Sequence, residues 1–138
     1  MADFMSLTKV RREADFTELT VEAGNSVISA SATIYVTKAI LEDLQEQIGL
    51  FLQETDLEGY WENDVPGIGG PPCVTIKMLP QKENQQVLLE IYMELNDGGS
   101  FMEHNCRFFV RTDRADLRQF QSCLSDLIAA PDGTMLKL

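Results

Sequence analysis

The sequence predicts an α+β protein in which an antiparallel sheet carries two helices on one face. Three observations predict this class: apolar and polar residues alternate in several segments, two further segments place apolar residues at helical spacing, and most connections between segments are short. The predicted order along the chain is βββα followed by βββα. Strands joined by short connections form antiparallel sheets, and a helix with one apolar stripe covers such a sheet with that stripe.

The first three strands are expected at 4–10, 16–22 and 27–36. The third has the clearest pattern, because its apolar and polar residues alternate strictly, which is typical of a strand buried on one side. Its inward residues are Ile28, Ala30, Ala32, Ile34 and Val36. The small serine and alanine residues suggest that another element packs closely against the middle of this strand.

The first helix is expected to begin after Thr37, whose side chain can cap it, and to run to about Gln53. Its apolar stripe consists of Ile40, Leu41, Leu44, Ile48, Phe51 and Leu52. Glu42, Asp43 and Glu46 lie on the opposite, outer face.

Residues 54–72 are expected to form one long irregular loop. This segment holds four of the nine glycines and three of the five prolines. A loop of this length inside a compact domain is usually functional or mobile.

Three more strands are expected around 74–78, 87–93 and 102–110, followed by a second helix after Thr112 or Asp113. A tight turn on Asp97-Gly98 would join the last two strands. It would pair Met93 with Met102, Ile91 with His104, Leu89 with Cys106 and Val87 with Phe108. The closing helix should bury Leu117, Phe120, Leu124, Leu127 and Ile128 and end before Pro131. The two helices have similar sequences, but any amphipathic helix on a sheet would, so an internal duplication stays open.

Composition predicts one cytoplasmic domain over residues 1–138. Hydrophobic residues make up 44% of the chain and charged residues 24%, which excludes a disordered protein. No apolar run is long enough for a membrane span, and the first residues contain no signal-peptide core. The three cysteines show no CxxC spacing, which argues against a disulfide framework or a zinc site and fits a reducing compartment.

No constellation of residues indicates catalysis, a metal or a cofactor. His104 is the only histidine, and its expected strand position places it on an apolar face, where a hydrogen-bonded core residue is the better interpretation. Cys106 could share that face, but burial would raise the pKa of its thiol rather than activate it. A net charge of −11 opposes binding to nucleic acids, which proteins hold through lysine and arginine.

The strongest functional feature is a run of acids with no intervening base. Between Lys38 and Lys77 the acids are Glu42, Asp43, Glu46, Glu54, Asp56, Glu58, Glu62 and Asp64. Tyr60 and Trp61 lie among them, and this composition is typical of a binding hot spot with a charged rim. The partner would be a basic protein. The alternative is that Trp61 folds back to cap the core and that the acids serve solubility.

The order of segments resembles that of the WapI-type immunity proteins, which neutralise a cognate bacterial toxin. Three stretches carry the resemblance: Ile34 to Leu44, the hairpin strands around Val87–Glu94 and Phe108–Arg111, and Asp116 to Leu127. The resemblance implies an inhibitory binding protein of the bacterial cytoplasm without catalytic activity.

A homo-oligomeric structural or adaptor protein is the second function that the sequence favours. Leu88, Tyr92, Phe101 and Phe109 are expected on the sheet face opposite the helices, where a solvated sheet is normally polar. Two copies could pair through this outer face.

Overall fold

The computed structural model describes residues 3–53, 57–63, 72–80, 86–95 and 104–138. Its elements in chain order are β1 (Phe4–Arg12), β2 (Thr17–Gly24), β3 (Ser29–Val36), α1 (Lys38–Gln53), β4 (Gly59–Glu62), β5 (Val74–Pro80), β6 (Gln86–Glu94), β7 (Asn105–Asp113), α2 (Arg114–Leu127) and β8 (Met135–Lys137). Within these residues, neither helix has the length and apolar character needed to cross a bilayer.

The strands form two four-stranded antiparallel sheets, ordered β3-β2-β1-β8 and β4-β5-β6-β7. The α+β class and the predicted sequence of strands and helices are confirmed, with two additional short strands. β4 and β8 have four and three residues, too few to produce a recognisable alternation in sequence.

The two halves of the chain have the same topology. Each half is βββα followed by one short strand, and that short strand completes the sheet of the other half: β4 pairs with β5, and β8 pairs with β1. The helices meet symmetrically, because the Gln45 side chain donates to the Gln121 carbonyl at 3.1 Å and the Gln121 side chain donates to the Gln45 carbonyl at 3.2 Å. The topology therefore contains an internal repeat, which the sequence left open.

Both helices begin where the sequence places them. The Ile40 amide donates to Thr37 Oγ1 at 3.2 Å, and the Asp116 amide donates to Asp113 Oδ1 at 2.8 Å. Each cap satisfies an amide of the first turn that has no partner within the helix. The caps occupy equivalent positions in the two repeats, because Thr37 directly follows β3 and Asp113 is the last residue of β7.

One buried apolar cluster contains residues of both sheets and both helices. The helices contribute the predicted stripes, from Ile40 to Phe51 in α1 and from Leu117 to Leu127 in α2. β3 approaches β6, and its inward residues Ala32, Ile34 and Val36 are buried. This approach agrees with the expectation that another element packs against β3.

The predicted register of the hairpin β6–β7 is wrong. Met93 lies opposite Cys106 rather than Met102, a shift of four residues. Because the shift is even, every side chain keeps its face, so alternation alone could not distinguish the two registers. The Leu95 amide donates to the His104 carbonyl at 2.7 Å, while the predicted turn residues lie outside the described segments.

His104 is also placed differently from the prediction. β7 begins at Asn105, and the His104 side chain is exposed instead of facing the core. The shifted register puts Phe108 opposite Ile91, in the inward position that His104 was expected to take.

Candidate protein-binding surface

Trp61 belongs to the core and not to a binding surface. Its side chain is 1% exposed, and the indole Nε1 donates to the Ile40 carbonyl at 2.9 Å. Trp61 lies on β4, so the segment expected to be one irregular loop over 54–72 contains a strand. Of the two interpretations that the sequence allowed, the core plug is the one observed, because only this strand brings the indole against the first turn of α1.

Two residues that the sequence did not single out fix β4 in place. Gly59 lies opposite Met78, and a Cβ on Gly59 would come within 2.5 Å of Met78 Cε. Asn63 is fully buried, and its side chain bridges the next part of the chain: Nδ2 donates to the Pro72 carbonyl at 3.1 Å, and Oδ1 accepts from the Val74 amide at 2.6 Å. These contacts explain how a short strand forms in a segment rich in glycine and proline.

Tyr60 points to the opposite side of β4 from Trp61 and is 49% exposed. Its hydroxyl donates to Glu62 Oε2 at 3.0 Å, and partial burial together with this carboxylate raises the pKa of the phenol. Glu58, directly before β4, forms an ion pair with Lys77 of β5 at 3.3 Å. The predicted aromatic pair is therefore divided between the core and the outer face of the sheet.

The predicted acids of α1 form a second, separate surface. Glu42, Asp43 and Glu46 are exposed on the helix face that points away from the core. α1 packs on the side of β4 that Trp61 faces, so these carboxylates and Tyr60 lie on opposite sides of that strand. Glu54, Asp56 and Asp64 lie outside the described residues.

The acidic face of α1 also carries an exposed leucine. Leu50 is 50% exposed and follows Glu46 by four residues, one helical turn further on. We call Glu42, Asp43, Glu46 and Leu50 the acidic stripe. Its sequence signal was present but unused: Leu50 is the leucine of α1 that the predicted apolar stripe does not include.

The acidic stripe has little internal neutralisation. Lys38 Nζ lies 3.7 Å from Glu42 Oε1, and both side chains are largely exposed. Exposed pairs one helical turn apart contribute only a few tenths of a kcal/mol. Its carboxylates are therefore available to a cationic partner.

The outer face of the second sheet is less apolar than the sequence suggested. Leu88 and Tyr92 are half-buried, and the Arg107 guanidinium lies 5.3 Å above the Tyr92 ring while pairing with Glu90 at 2.9 Å. Phe109 is 44% exposed, and Phe101 lies outside the described residues. A homodimer through this face stays a prediction.

A groove of about 650 Å³ lies beside the start of α1, lined by Arg12, Lys38, Leu41, Glu42, Gln45 and Leu124 among others. Its two cations and one carboxylate do not favour a basic ligand.

In the part of the chain that the structure describes, no three histidine, cysteine, aspartate or glutamate residues group as metal ligands. Burial raises the pKa of the Cys106 thiol, as predicted, which disfavours the nucleophilic thiolate form.

Comparison with protein families, with curated proteins and with solved structures finds no match to this chain.

Proposed function

We propose that this chain is a non-enzymatic, cytoplasmic binding protein whose acidic stripe contacts a basic protein partner. Its most concrete form is an immunity protein that sequesters a basic toxin domain. The observation that carries the proposal is the outer face of α1, where three exposed carboxylates and one exposed leucine share a rigid element.

Charge supports a basic partner. The chain has 22 acidic and 11 basic residues, and no basic residue occurs between Lys38 and Lys77. A surface of one sign accelerates encounter with a partner of the opposite sign and repels polyanions. The acidic stripe lies at the start of this base-free segment, so a partner with clustered lysine and arginine fits it best.

Leu50 supplies the apolar contact that the charged residues of the acidic stripe lack. Exposed ion pairs contribute mainly to association rate and specificity, whereas desolvated apolar contacts provide most of the binding free energy. With Trp61 in the core, Leu50 replaces it as the apolar anchor on the acidic surface. Because Leu50 is on a helix held by the core residues Ile48 and Phe51, little order has to be gained on binding.

The proposal is tested by protection in cells. The assay uses basic domains that are encoded next to this gene and arrest bacterial growth. Each is co-expressed with this chain, and the growth rate of the cells is measured. The chain should restore growth against one of them. The variant Glu42→Gln/Asp43→Asn/Glu46→Gln should lose protection because steering and the charged rim are removed.

A matched variant, Asp15→Asn/Glu22→Gln/Asp126→Asn, neutralises three exposed acids elsewhere and removes the same charge. It should still protect. Equal protection by both variants would contradict the assignment of the surface, and failure of the parent chain against every such domain would contradict the immunity function.

A further inference from the structure

The two sheets have four edge strands, and three of them are short or capped. β4 and β8 have four and three residues. β7 is long, but two side chains that flank strands of the other sheet cap it. Asn25, directly after β2, donates from Nδ2 to the Phe109 carbonyl at 2.7 Å, and Asp3, directly before β1, accepts at Oδ2 from the Arg111 amide at 2.8 Å. Caps of this kind prevent an edge from pairing with another chain.

β3 is the equivalent edge in the other repeat, and none of the residues described by the structure caps it in this way. The Asn25 amide donates to the Ile28 carbonyl at 2.9 Å, and the register continues unbroken to Val36. Alternate residues from Ile28 onward therefore bond to β2, and the residues between them direct their N–H and C=O groups away from the sheet. These are Ser29, Ser31, Thr33 and Tyr35, and no residue that the structure describes hydrogen-bonds their outward backbone groups.

The chemistry of β3 also differs from that of a protected edge. Residues 26–37 contain no charged side chain, although charged residues make up 24% of the chain. Ser29 and Ser31 are exposed, and their small side chains allow another backbone to approach. Edge strands that must stay unpaired normally carry charges, prolines or bulges, and β3 has none of these.

We propose that β3 pairs antiparallel with β3 of a second copy of this chain, so that the two β3 edges join two four-stranded sheets into one. Two copies with a net charge of −11 repel each other over most of their surface, and an uncharged edge is where they can approach. A basic partner would gain nothing from this edge, because it offers no charge to attract one. The inference does not depend on the proposed function, since it uses a different surface.

The small exposed serines of β3 set the register. When the two-fold axis passes through Ser31, Ser29 of one copy comes opposite Thr33 of the other. Tyr35, against which the Phe16 ring packs edge-on with ring centroids 5.2 Å apart, then lies beyond the paired residues. This register pairs the outward backbone groups of Ser29, Ser31 and Thr33 in the two copies.

The first test is the mass of the protein in solution as a function of concentration, by sedimentation equilibrium. The parent chain should form a dimer with a dissociation constant below about 100 µM. Ser31→Lys places a charge on the axis in each copy and should raise that constant by about tenfold or more. Ser122→Lys, an exposed serine on α2, adds the same charge elsewhere and should leave the constant unchanged.

The second test is cross-linking. Residues directly opposite each other in a hydrogen-bonded antiparallel pair have Cα atoms about 5.5 Å apart, which suits a disulfide. Ser31→Cys should therefore form an intermolecular disulfide under mild oxidation, whereas Ser29→Cys should not, because its opposite residue is Thr33. The parent chain with Cys73, Cys106 and Cys123 gives the background.

Three results would overturn the inference. These are a chain that stays monomeric at high concentration, a dimer that Ser31→Lys does not weaken, and equal cross-linking of Ser29→Cys and Ser31→Cys. A β3 edge used instead by a strand of another protein would give the first result.

Discussion

Trp61→Ala should destabilise the protein severely without removing any binding contact. Full burial of a tryptophan side chain removes roughly 200 Å² from water, which at about 25 cal/mol per Å² corresponds to about 5 kcal/mol. Tryptophan-to-alanine changes in cores cost about 3–5 kcal/mol because the cavity collapses only in part. The exposure of Trp61 is 1%, so the full value applies. This loss is a large part of the 5–15 kcal/mol that keeps a domain folded.

Trp61→Phe separates packing from the hydrogen bond. It keeps most of the buried ring but removes the donor to the Ile40 carbonyl, and we expect a loss of about 1–2 kcal/mol. Urea unfolding followed by circular dichroism measures both changes as shifts of the midpoint at constant slope. Leu50→Ala is the control, because a half-exposed residue on a helix should change stability by less than about 1 kcal/mol.

The sole tryptophan also reports on its own environment. In the folded parent chain its fluorescence should resist quenching by acrylamide, and quenching should increase on unfolding. An unfolding midpoint that Trp61→Ala leaves in place, together with easy quenching in the folded protein, would refute the burial of Trp61.

Three further predictions concern other buried or titrating groups. Lys9→Met should lower the free energy of unfolding, measured with urea, by about 1–3 kcal/mol. The buried Lys9 ammonium donates to the Ile128 carbonyl at 2.6 Å near the end of α2, and the variant loses this bond. A loss below about 0.5 kcal/mol would reject this role of Lys9. Asp113→Ala should cost about 1 kcal/mol in the same assay through loss of the N-cap, and Asp113→Asn, which keeps an acceptor, should cost less. The pKa of Tyr60 is raised, first by burial and then by Glu62, so the folded state favours the protonated phenol. The contribution of this phenol to the free energy of unfolding should therefore be fully present below pH 10 and should fall as the pH rises above it. Tyr60→Phe should remove that part of the pH dependence, and an unchanged alkaline profile would contradict it.

Signals that are local in sequence were sufficient for the helices. Thr37 and Asp113 mark the N-caps because the capping interaction spans only three residues, and the apolar stripes follow from the period of the helix. The inward faces of β3, β5 and β6 were predicted correctly for a similar reason, since a period of two is visible in a few residues.

Features that depend on contacts between distant segments were not predictable from these signals. The pairing of Met93 with Cys106 differs from the predicted pairing by an even shift, which leaves the apolar pattern unchanged. Trp61 is buried because the strand Gly59–Glu62 pairs with β5, and a strand this short leaves almost no periodicity in the sequence. The acid run was visible in the sequence, but its division between two sides of β4 follows only from that strand.

The association rate constant of the chain with a basic domain that the growth assay identifies as its partner tests the central claim most directly. It is measured by stopped flow at low and at physiological salt for the parent chain and the two neutralised variants. Neutralising Glu42, Asp43 and Glu46 should slow association by about tenfold at low salt and reduce its salt dependence, because these charges steer the encounter. The variant with Asp15, Glu22 and Asp126 neutralised should stay close to the parent chain. Equal slowing in both variants would mean that only net charge matters and that the acidic stripe is not the binding surface.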